Sequence, residues 1–181
     1  MTIYLIRHAQ SEFNAVHDLN KPDPMIFDAP ITKLGEMQAR QARNEVEKLN
    51  IKSVIVSPFT RTIQTAQLIF GSKFPFQISA AVREQLCNSC DIGSTPSKLS
   101  KNFPLLNFDH LDECWWHEGE KDYRGIAVEP EEVLIKRASL FAEELKSKNI
   151  QSTAIVSHGN FIRALTGIKP KNCELIEYIP R

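Results

Sequence analysis

The stretch Ile3-Tyr4-Leu5-Ile6-Arg7-His8 decides the fold class, together with two later stretches that resemble it. The later apolar runs are Val54-Ile55-Val56 and Ala154-Ile155-Val156. All three runs are rich in β-branched residues and none alternates with polar residues. Such runs are typical of strands that are covered on both faces, as in a largely parallel sheet. We therefore expect these three runs to form the centre of the fold.

Helical patterns separate the predicted strands, which indicates a three-layer α/β/α sandwich with a mostly parallel central sheet. Apolar residues recur at helical spacing after Thr32, a candidate N-cap, and again after Pro130. Ser57-Pro58 is typical of an N-cap followed by a first-turn proline, and a short helix is expected from Gly159 to Gly167. Glu174–Ile179 is predicted to be a last strand at the sheet edge. The apolar positions of the first two helices are Ala39, Ala42, Val46 and Leu49, then Leu134, Ala138, Phe141 and Leu145.

Length and composition limit the classes of function. The 181 residues, 42% of them hydrophobic, fit a single domain over 1–181, with an irregular excursion at about 87–128. Lys plus Arg equal Asp plus Glu at 22 each, so no global charge attracts nucleic acid or a membrane. No run is long enough to span a bilayer, and no signal peptide is recognisable. We expect a cytoplasmic protein with free thiols.

Each apolar run ends at a polar group. The first ends in Arg7-His8, the second leads to Arg61, and the third ends in Ser157-His158-Gly159. Ligands of open α/β sheets bind beyond the carboxyl ends of the strands. If the strands are parallel neighbours, two guanidiniums and two imidazoles meet at one sheet edge. That set predicts a pocket for a tetrahedral dianion such as phosphate.

A phosphate pocket with two histidines suggests nucleophilic chemistry. A neutral imidazole attacks phosphorus without a base, and the second ring can stabilise the transferring group. The leaving alcohol needs a proton from a general acid. Glu84 is our candidate for that acid. Glu36, Glu113 and Glu118 stay open as alternatives.

The motifs that carry this chemistry resemble those of a known family. The first block is Arg7-His8-Ala9-Gln10-Ser11-Glu12-Phe13-Asn14, which resembles the Arg-His-Gly-x-Ser-x-x-Asn signature of the histidine phosphatase superfamily, the phosphoglycerate mutase-like family. Ser57–Ala66, Arg83-Glu84 and Val156–Arg163 are similar to its later blocks, in the same order. Position nine departs from the signature, because alanine stands where the family usually has glycine. We expect only a small local shift from the added methyl group.

The resemblance implies a phosphoglycerate mutase-like fold and a role for each matched residue. His8 would be the phosphorylated nucleophile, and Arg7, Arg61 and His158 would bind the phosphoryl group. Glu84 would donate the proton and then activate water. The remaining matched residues would line the pocket, with Asn14 in contact with the phosphate; they are Ser11, Asn14, Gly159 and Asn160. The expected activity is hydrolysis of a small phosphorylated metabolite, without cofactor or metal, through a phosphohistidine on His8.

Three alternatives are weighed against this expectation. A phosphoglycerate mutase would need contacts for a second phosphate, yet the excursion is more acidic than basic. A catalytically silent phospholigand-binding module is a second alternative, since Ala9 departs from the signature and the acid is uncertain. Third, Cys87-x-x-Cys90 and Cys114-x-x-His117 have spacings that could chelate a structural zinc ion. The sequence leaves the oligomeric state open, a homodimer included.

Overall fold

The centre of the protein is a five-stranded sheet in the order β3-β2-β4-β1-β5. The computed structural model describes residues 2–148 and 152–180. β1 to β4 run parallel, and β5 pairs antiparallel with β1 at the sheet edge. The three predicted central strands and the predicted edge strand are confirmed. The strands are β1 Ile3–Arg7, β2 Ser53–Val56, β3 Phe76–Ile78, β4 Thr153–Ser157 and β5 Leu175–Tyr178.

In the described part of the chain, six helices accompany the sheet, and the longer ones cover it on both faces. Helices α2 and α3 pack on the face that presents Val54 and Val56, whereas α5 and α6 pack on the face that presents Ile55. Because neighbouring strand residues point to opposite faces, an uninterrupted apolar run serves both layers. The predicted three-layer α/β arrangement is therefore confirmed. The helices are α1 Glu12–Val16, α2 Lys33–Val46, α3 Thr60–Phe70, α4 Pro96–Asn102, α5 Glu131–Ser147 and α6 Gly159–Thr166.

Most helix boundaries follow the sequence signals. The Thr32 side chain accepts a hydrogen bond from the Gly35 amide and caps α2, as predicted. Pro130 precedes α5, and α6 ends at Gly167, which has a left-handed backbone. Leu49 lies beyond the end of α2, so the predicted helix was one turn too long.

The predicted start of α3 was wrong. Ser57 and Pro58 precede the helix, which begins at Thr60 with Phe59 as the N-cap residue. Phe59 has no capping side chain, and Asp28 supplies the cap from a distant loop. Its carboxylate accepts from the Thr60 amide at 2.9 Å and from the Thr60 hydroxyl at 2.7 Å. The later start leaves the Ser57 hydroxyl free for another partner.

The excursion at 87–128 is less irregular than predicted. It contains α4 and a 3-10 turn at Ser89–Asp91. Leu99, Phe108 and Trp115 are buried in the same cluster as the strand residues that face α2 and α3. The excursion therefore extends the core on that face of the sheet.

No helix within residues 2–148 and 152–180 is long and apolar enough to cross a membrane.

Candidate active site

The two histidines lie side by side at the carboxyl edge of the sheet. His8 directly follows β1 and His158 directly follows β4, and the register of these strands pairs Arg7 with Ser157. The ring centroids are 5.2 Å apart, with the planes tilted by 59°. Both rings are buried. Parallel pairing of two central strands thus brings together residues that are 150 positions apart in the chain.

Hydrogen bonding defines the state of His8. Its Nδ1–H donates to the carbonyl of Ala9 at 2.7 Å, and its backbone N–H donates to Ser157 at 2.9 Å. Within the described ranges, no group hydrogen bonds to Nε2 of this ring. In the neutral imidazole, one nitrogen carries the proton and the other a lone pair. The lone pair of His8 is therefore on Nε2.

His158 is oriented by Ser57. The hydroxyl oxygen of Ser57 lies 2.8 Å from Nε2 of His158, and the ring of Phe59 meets the imidazole edge-on at 5.0 Å between centroids. Nδ1 of His158 is buried without a hydrogen-bond partner in the described part of the chain. Leaving a buried polar atom without a hydrogen-bond partner costs free energy. Such an atom is typical of a position that hydrogen bonds to a ligand.

Both imidazoles are held neutral. Burial lowers the pKa of His8 well below 6.5, and the charges of Arg61 and Arg7 lower it further. Burial and Arg61 lower the pKa of His158 in the same way. Burial and the charges of the arginines both disfavour protonation of the two imidazoles. The site therefore combines cationic guanidiniums with uncharged rings.

Arg61 lies in the first turn of α3 and is fixed on three sides. Its Nη1 donates to the carbonyl of Cys90 at 2.7 Å, and its Nη2 forms an ion pair of 3.0 Å with Asp91. The guanidinium also lies 4.3 Å above the centre of the Phe59 ring. The side chain is only 2% exposed. A guanidinium has five N–H donors, so Arg61 keeps donors for an anion after these contacts.

Arg7 is held more loosely. Its Nη1 donates to the carbonyl of Pro170 at 2.8 Å, while Nε is buried without a partner in the part of the chain that the structure describes. Burial lowers the pKa of Arg7, and the charge of Glu84 partly opposes that effect. Glu84 therefore lies within electrostatic reach of the arginine.

The half-buried side chain of Glu84 lies against the first turn of α6. Its carboxylate accepts from the backbone N–H groups of Gln85 at 2.9 Å and of Asn160 and Phe161 at 3.2 Å. Burial raises the pKa of Glu84, and the charge of Asp91 raises it further. A raised pKa suits a general acid. The other candidate acids lie elsewhere: Glu36 pairs with Lys33, and Glu113 and Glu118 are exposed.

The four predicted pocket-lining residues divide into two pairs. Ser11 and Asn14 cap α1 reciprocally, each accepting a hydrogen bond from the backbone N–H of the other. Gly159 and Asn160 open α6, where a Cβ on Gly159 would lie 3.4 Å from Nε of Arg7. The guanidinium of Arg7 therefore lies close to Gly159, and the Asn160 amide donates a hydrogen bond to Glu84.

Comparison with known proteins identifies the family. The model of the histidine phosphatase superfamily (branch 1) matches residues 3–170. The chain belongs to the histidine phosphatase superfamily.

Named relatives of this superfamily member include mutase-like proteins and phosphatases. Phosphoglycerate mutase-like protein 1 of Arabidopsis thaliana is 28% identical over 89% of this chain and 69% of its own length. A Hydrogenobacter thermophilus relative, named "Putative phosphoserine phosphatase 2", is 30% identical over 94% of this chain and 81% of its own length. The solved phosphoserine phosphatase of Entamoeba histolytica has a TM-score of 0.64 at 20% identity, covering 98% of this chain and 90% of that one. This last likeness supports the fold.

Several residues of this histidine phosphatase site were not found from the sequence. Asn172 donates from Nδ2 to the carbonyl of His8 at 2.9 Å and reaches Oδ1 of Asn14 at 3.4 Å. Asp91 holds Arg61, and Ser57 holds His158. In the sequence, Asn172 stands in an Asn-Cys pair near the end of the chain. This pair matches no motif, so no signal in the sequence could have identified Asn172.

The cysteine pairs do not form a shared ligand set. Among residues 2–148 and 152–180, no three His, Cys, Asp or Glu side chains converge as metal ligands. Cys90 is buried with its thiol 3.4 Å from Asp91, and burial raises the pKa of the Cys87 thiol to about 12. Such thiols are inert at neutral pH.

Proposed function

We propose that this histidine phosphatase hydrolyses phosphate monoesters of a small metabolite through a phosphohistidine on His8. One observation carries the proposal: Nδ1–H of His8 is engaged by Ala9, so the lone pair of a buried, neutral ring is on Nε2. Arg7, Arg61 and His158 surround that ring with donors. A neutral imidazole needs no metal and no base to become a nucleophile.

In the first step, Nε2 of His8 attacks phosphorus and the bond to the ester oxygen breaks. The arginines stabilise the charge on the equatorial oxygens, which is the main contribution a protein makes to phosphoryl transfer. The Nδ1 atom of His158 is the buried donor for one of these oxygens when the Ser57 hydroxyl donates to Nε2. The leaving alkoxide takes its proton from the Glu84 carboxyl.

In the second step, water cleaves the phosphohistidine. Glu84, now a carboxylate, accepts a proton from the water as its oxygen attacks phosphorus. The P–N bond breaks, neutral His8 is regenerated, and inorganic phosphate leaves. The amides of Asn160 and Phe161 stabilise the carboxylate between the two steps.

Hydrolysis is favoured over mutase activity by two features. A mutase must hold a second phosphate while it shields the phosphohistidine from water. The excursion offers exposed carboxylates instead, among them Asp109, Asp112, Glu113 and Glu118. Phosphatase names among the relatives agree with hydrolysis.

The test is hydrolysis of p-nitrophenyl phosphate in the presence of EDTA. We expect the wild-type protein to be active and to form an acid-labile, base-stable phosphoenzyme. His8→Ala should lose activity by ~10³-fold or more and form no phosphoenzyme, because no other group replaces the nucleophile. His117→Ala, in the excursion, is the matched control and should keep both properties. Absolute dependence on added metal, or interconversion of phosphoglycerates faster than their hydrolysis, would contradict the proposal.

A further inference from the structure

Glu84, the proposed general acid, lies on a segment outside the strands of the sheet. This segment, residues 80–86, begins with a 3-10 turn at Ala80–Val82. The hydroxyl of Ser157 ties it to the end of β4 by donating to the carbonyl of Val82 at 2.7 Å. Side chains of other elements hold the backbone on either side of Glu84. The position of the acid therefore depends on those side chains.

Arg137, on α5, supplies three of these contacts. Its Nη1 donates to the carbonyls of Ala81 at 3.1 Å and of Arg83 at 2.8 Å, and its Nη2 donates to that of Glu84 at 3.4 Å. Its other two donors meet the carboxylate of Glu129, from Nε at 3.3 Å and from Nη2 at 2.8 Å. A guanidinium has five N–H groups, and these contacts engage all of them. Arg137 therefore holds the protein itself and has no donor left for a ligand.

Arg137 also contacts a residue that binds the carboxylate of Glu84. Its guanidinium lies 5.4 Å from the centre of the Phe161 ring. The amide of Phe161, in the first turn of α6, donates to the Glu84 carboxylate at 3.2 Å. One guanidinium thus reaches both the backbone of Glu84 and a residue that orients its carboxylate.

Glu129, the counter-ion of Arg137, is joined to the same segment. Its backbone N–H donates to the carbonyl of Leu86 at 2.7 Å, and its carbonyl accepts from Nε2 of Gln85 at 3.0 Å. The Glu129 side chain is 0% exposed, and a buried carboxylate depends on its cationic partners. The ion pair therefore fixes the guanidinium of Arg137 relative to the residues that directly follow Glu84.

We propose that Arg137 is a positioning residue for the general acid and holds the Glu84 carboxyl where the leaving oxygen of the substrate takes its proton. The inference rests on the proposed phosphatase function and adds to its acid step a residue outside the set that binds phosphate. A lysine in this place keeps the charge beside Glu129, but its three donors on one nitrogen cannot meet the five acceptors of a planar guanidinium. Arg137→Lys should therefore displace Glu84 while the buried ion pair persists.

Arg83 provides the matched control. It pairs with the same Glu129 carboxylate at 3.3 Å, and its side chain is buried to a similar extent. Its hydrogen bond to the segment goes to the carbonyl of Ala80 at 3.3 Å, four residues before the acid. Arg83→Lys therefore makes the same chemical change in the same ion-pair cluster but leaves the contacts of Arg137 with the backbone of Glu84 in place.

The experiment compares kcat/KM for phenyl phosphate and p-nitrophenyl phosphate. Both are aryl esters, but phenolate is the more basic leaving group and gains more from protonation. We expect Arg137→Lys to lower kcat/KM for phenyl phosphate about tenfold more than that for p-nitrophenyl phosphate, because a small displacement weakens general-acid catalysis. Arg137→Gln, which leaves Arg83 to pair with Glu129, should change the ratio of the two esters at least as much. Arg83→Lys should keep the wild-type ratio, whatever its effect on the melting temperature.

Hydrogen exchange of backbone amides measures the same displacement without catalysis. The Phe161 amide lies in the first turn of α6, where the helix itself offers no acceptor, and Glu84 is its partner. The Ile162 amide donates to the carbonyl of His158 at 3.0 Å and serves as the internal reference. We expect Arg137→Lys to accelerate exchange at Phe161 several-fold relative to Ile162.

Two kinetic results would overturn the inference. Equal losses with both esters in Arg137→Lys, or the same change of ratio in Arg83→Lys, would mean that the cluster only stabilises the fold. If the wild-type protein hydrolyses neither ester, the proposed function fails by itself. Exchange at Phe161 then decides the role of Arg137 separately: faster exchange in Arg137→Lys supports it, and unchanged exchange contradicts it.

Discussion

The floor and the rim of the active site are built in different ways. The floor consists of His8 and His158, which sit at the ends of neighbouring parallel strands and owe their separation to the register of the sheet. The rim consists of the segment at 83–91 and the loop at 168–174. These segments contain no strand and only a short 3-10 turn, and individual hydrogen bonds to side chains and carbonyls hold them.

The positions of the floor residues are therefore fixed by the pairing of strands, whereas the positions of the rim residues depend on individual contacts. Five residue pairs join β1 to β4, so the spacing of the two histidines does not depend on one contact alone. A rim residue such as Asn172 or Asp91 acts through individual hydrogen bonds, and its loss should change the position of His8 or Arg61. Substitutions in the rim should therefore change individual steps of the reaction while the fold persists.

The largest effect expected in the rim concerns Glu84. Glu84→Gln retains an oxygen that can accept from the α6 amides but removes the acidic proton. We expect kcat/KM for an alkyl phosphate to fall by about 10²- to 10³-fold, and that for p-nitrophenyl phosphate to fall much less, because nitrophenolate leaves without protonation. Steady-state kinetics with both esters measure this difference.

Glu118→Gln is the control for the acid, since Glu118 was an alternative candidate and is exposed in the excursion. It should leave both rates unchanged. Equal losses with both esters in Glu84→Gln would contradict a general-acid role and would indicate that Glu84 only positions α6.

A smaller effect is expected from Asn172→Asp. The variant keeps the shape of the side chain, but a carboxylate cannot donate to the carbonyl of His8. We expect the rate of phosphohistidine formation to fall about tenfold with little change in KM, because the displaced nucleophile attacks less well while the arginines still bind phosphate. Rapid-quench measurement of the phosphoenzyme gives the rate.

Asn102→Asp, at the exposed end of α4, is the matched control for this substitution. A rise in KM with an unchanged rate of phosphorylation would show that Asn172 shapes the loop without positioning His8.

The smallest effect concerns pH and stability. Because the folded state lowers the pKa of His8 below 6.5, the unfolded chain binds the proton more tightly and stability falls as pH drops below 6.5. Burial lowers this pKa most, and the charges of Arg61 and Arg7 lower it further, with the ring of His158 beside it. His8→Gln removes this contribution, so the variant should lose less unfolding free energy than wild type on acidification, by up to about 1.4 kcal/mol per pH unit.

Denaturant unfolding of both proteins at pH values on either side of 6.5 tests this prediction. Glu84, Asp91 and Asp28 have raised pKa values and act in the opposite direction, but they contribute to both proteins and cancel in the difference. Parallel stability curves would mean that His8 titrates normally in the folded state.

The positions of the floor residues could be predicted from the sequence for a physical reason. Uninterrupted β-branched runs specify buried strands, and a polar residue that directly follows each run is placed at the sheet edge without further information. The pattern alone therefore predicted that Arg7, His8 and His158 lie together at this edge, with Arg61 in the next helix. Family motifs then gave Glu84 its expected role.

The contacts of the rim residues could not be predicted from the sequence in the same way. Ser57 resembled a helix N-cap, but the cap of α3 comes from Asp28, which is 32 residues away from Thr60 and held by tertiary contacts. Asn172 carries no periodic or motif signal, and its contact with His8 depends on where a loop returns to the sheet. Partners distant in the chain decide such contacts, so local propensity does not reveal them.

The carboxylate of Glu84 lies at the first turn of α6, and this position affects when Glu84 is protonated. The same helix terminus that attracts this carboxylate also attracts a phosphoryl dianion, and two anions cannot share that positive potential cheaply. An arriving ester therefore favours the form of Glu84 that has already taken up a proton. In the proposed mechanism, substrate binding therefore protonates Glu84 before the alcohol leaves, and release of phosphate favours its deprotonation.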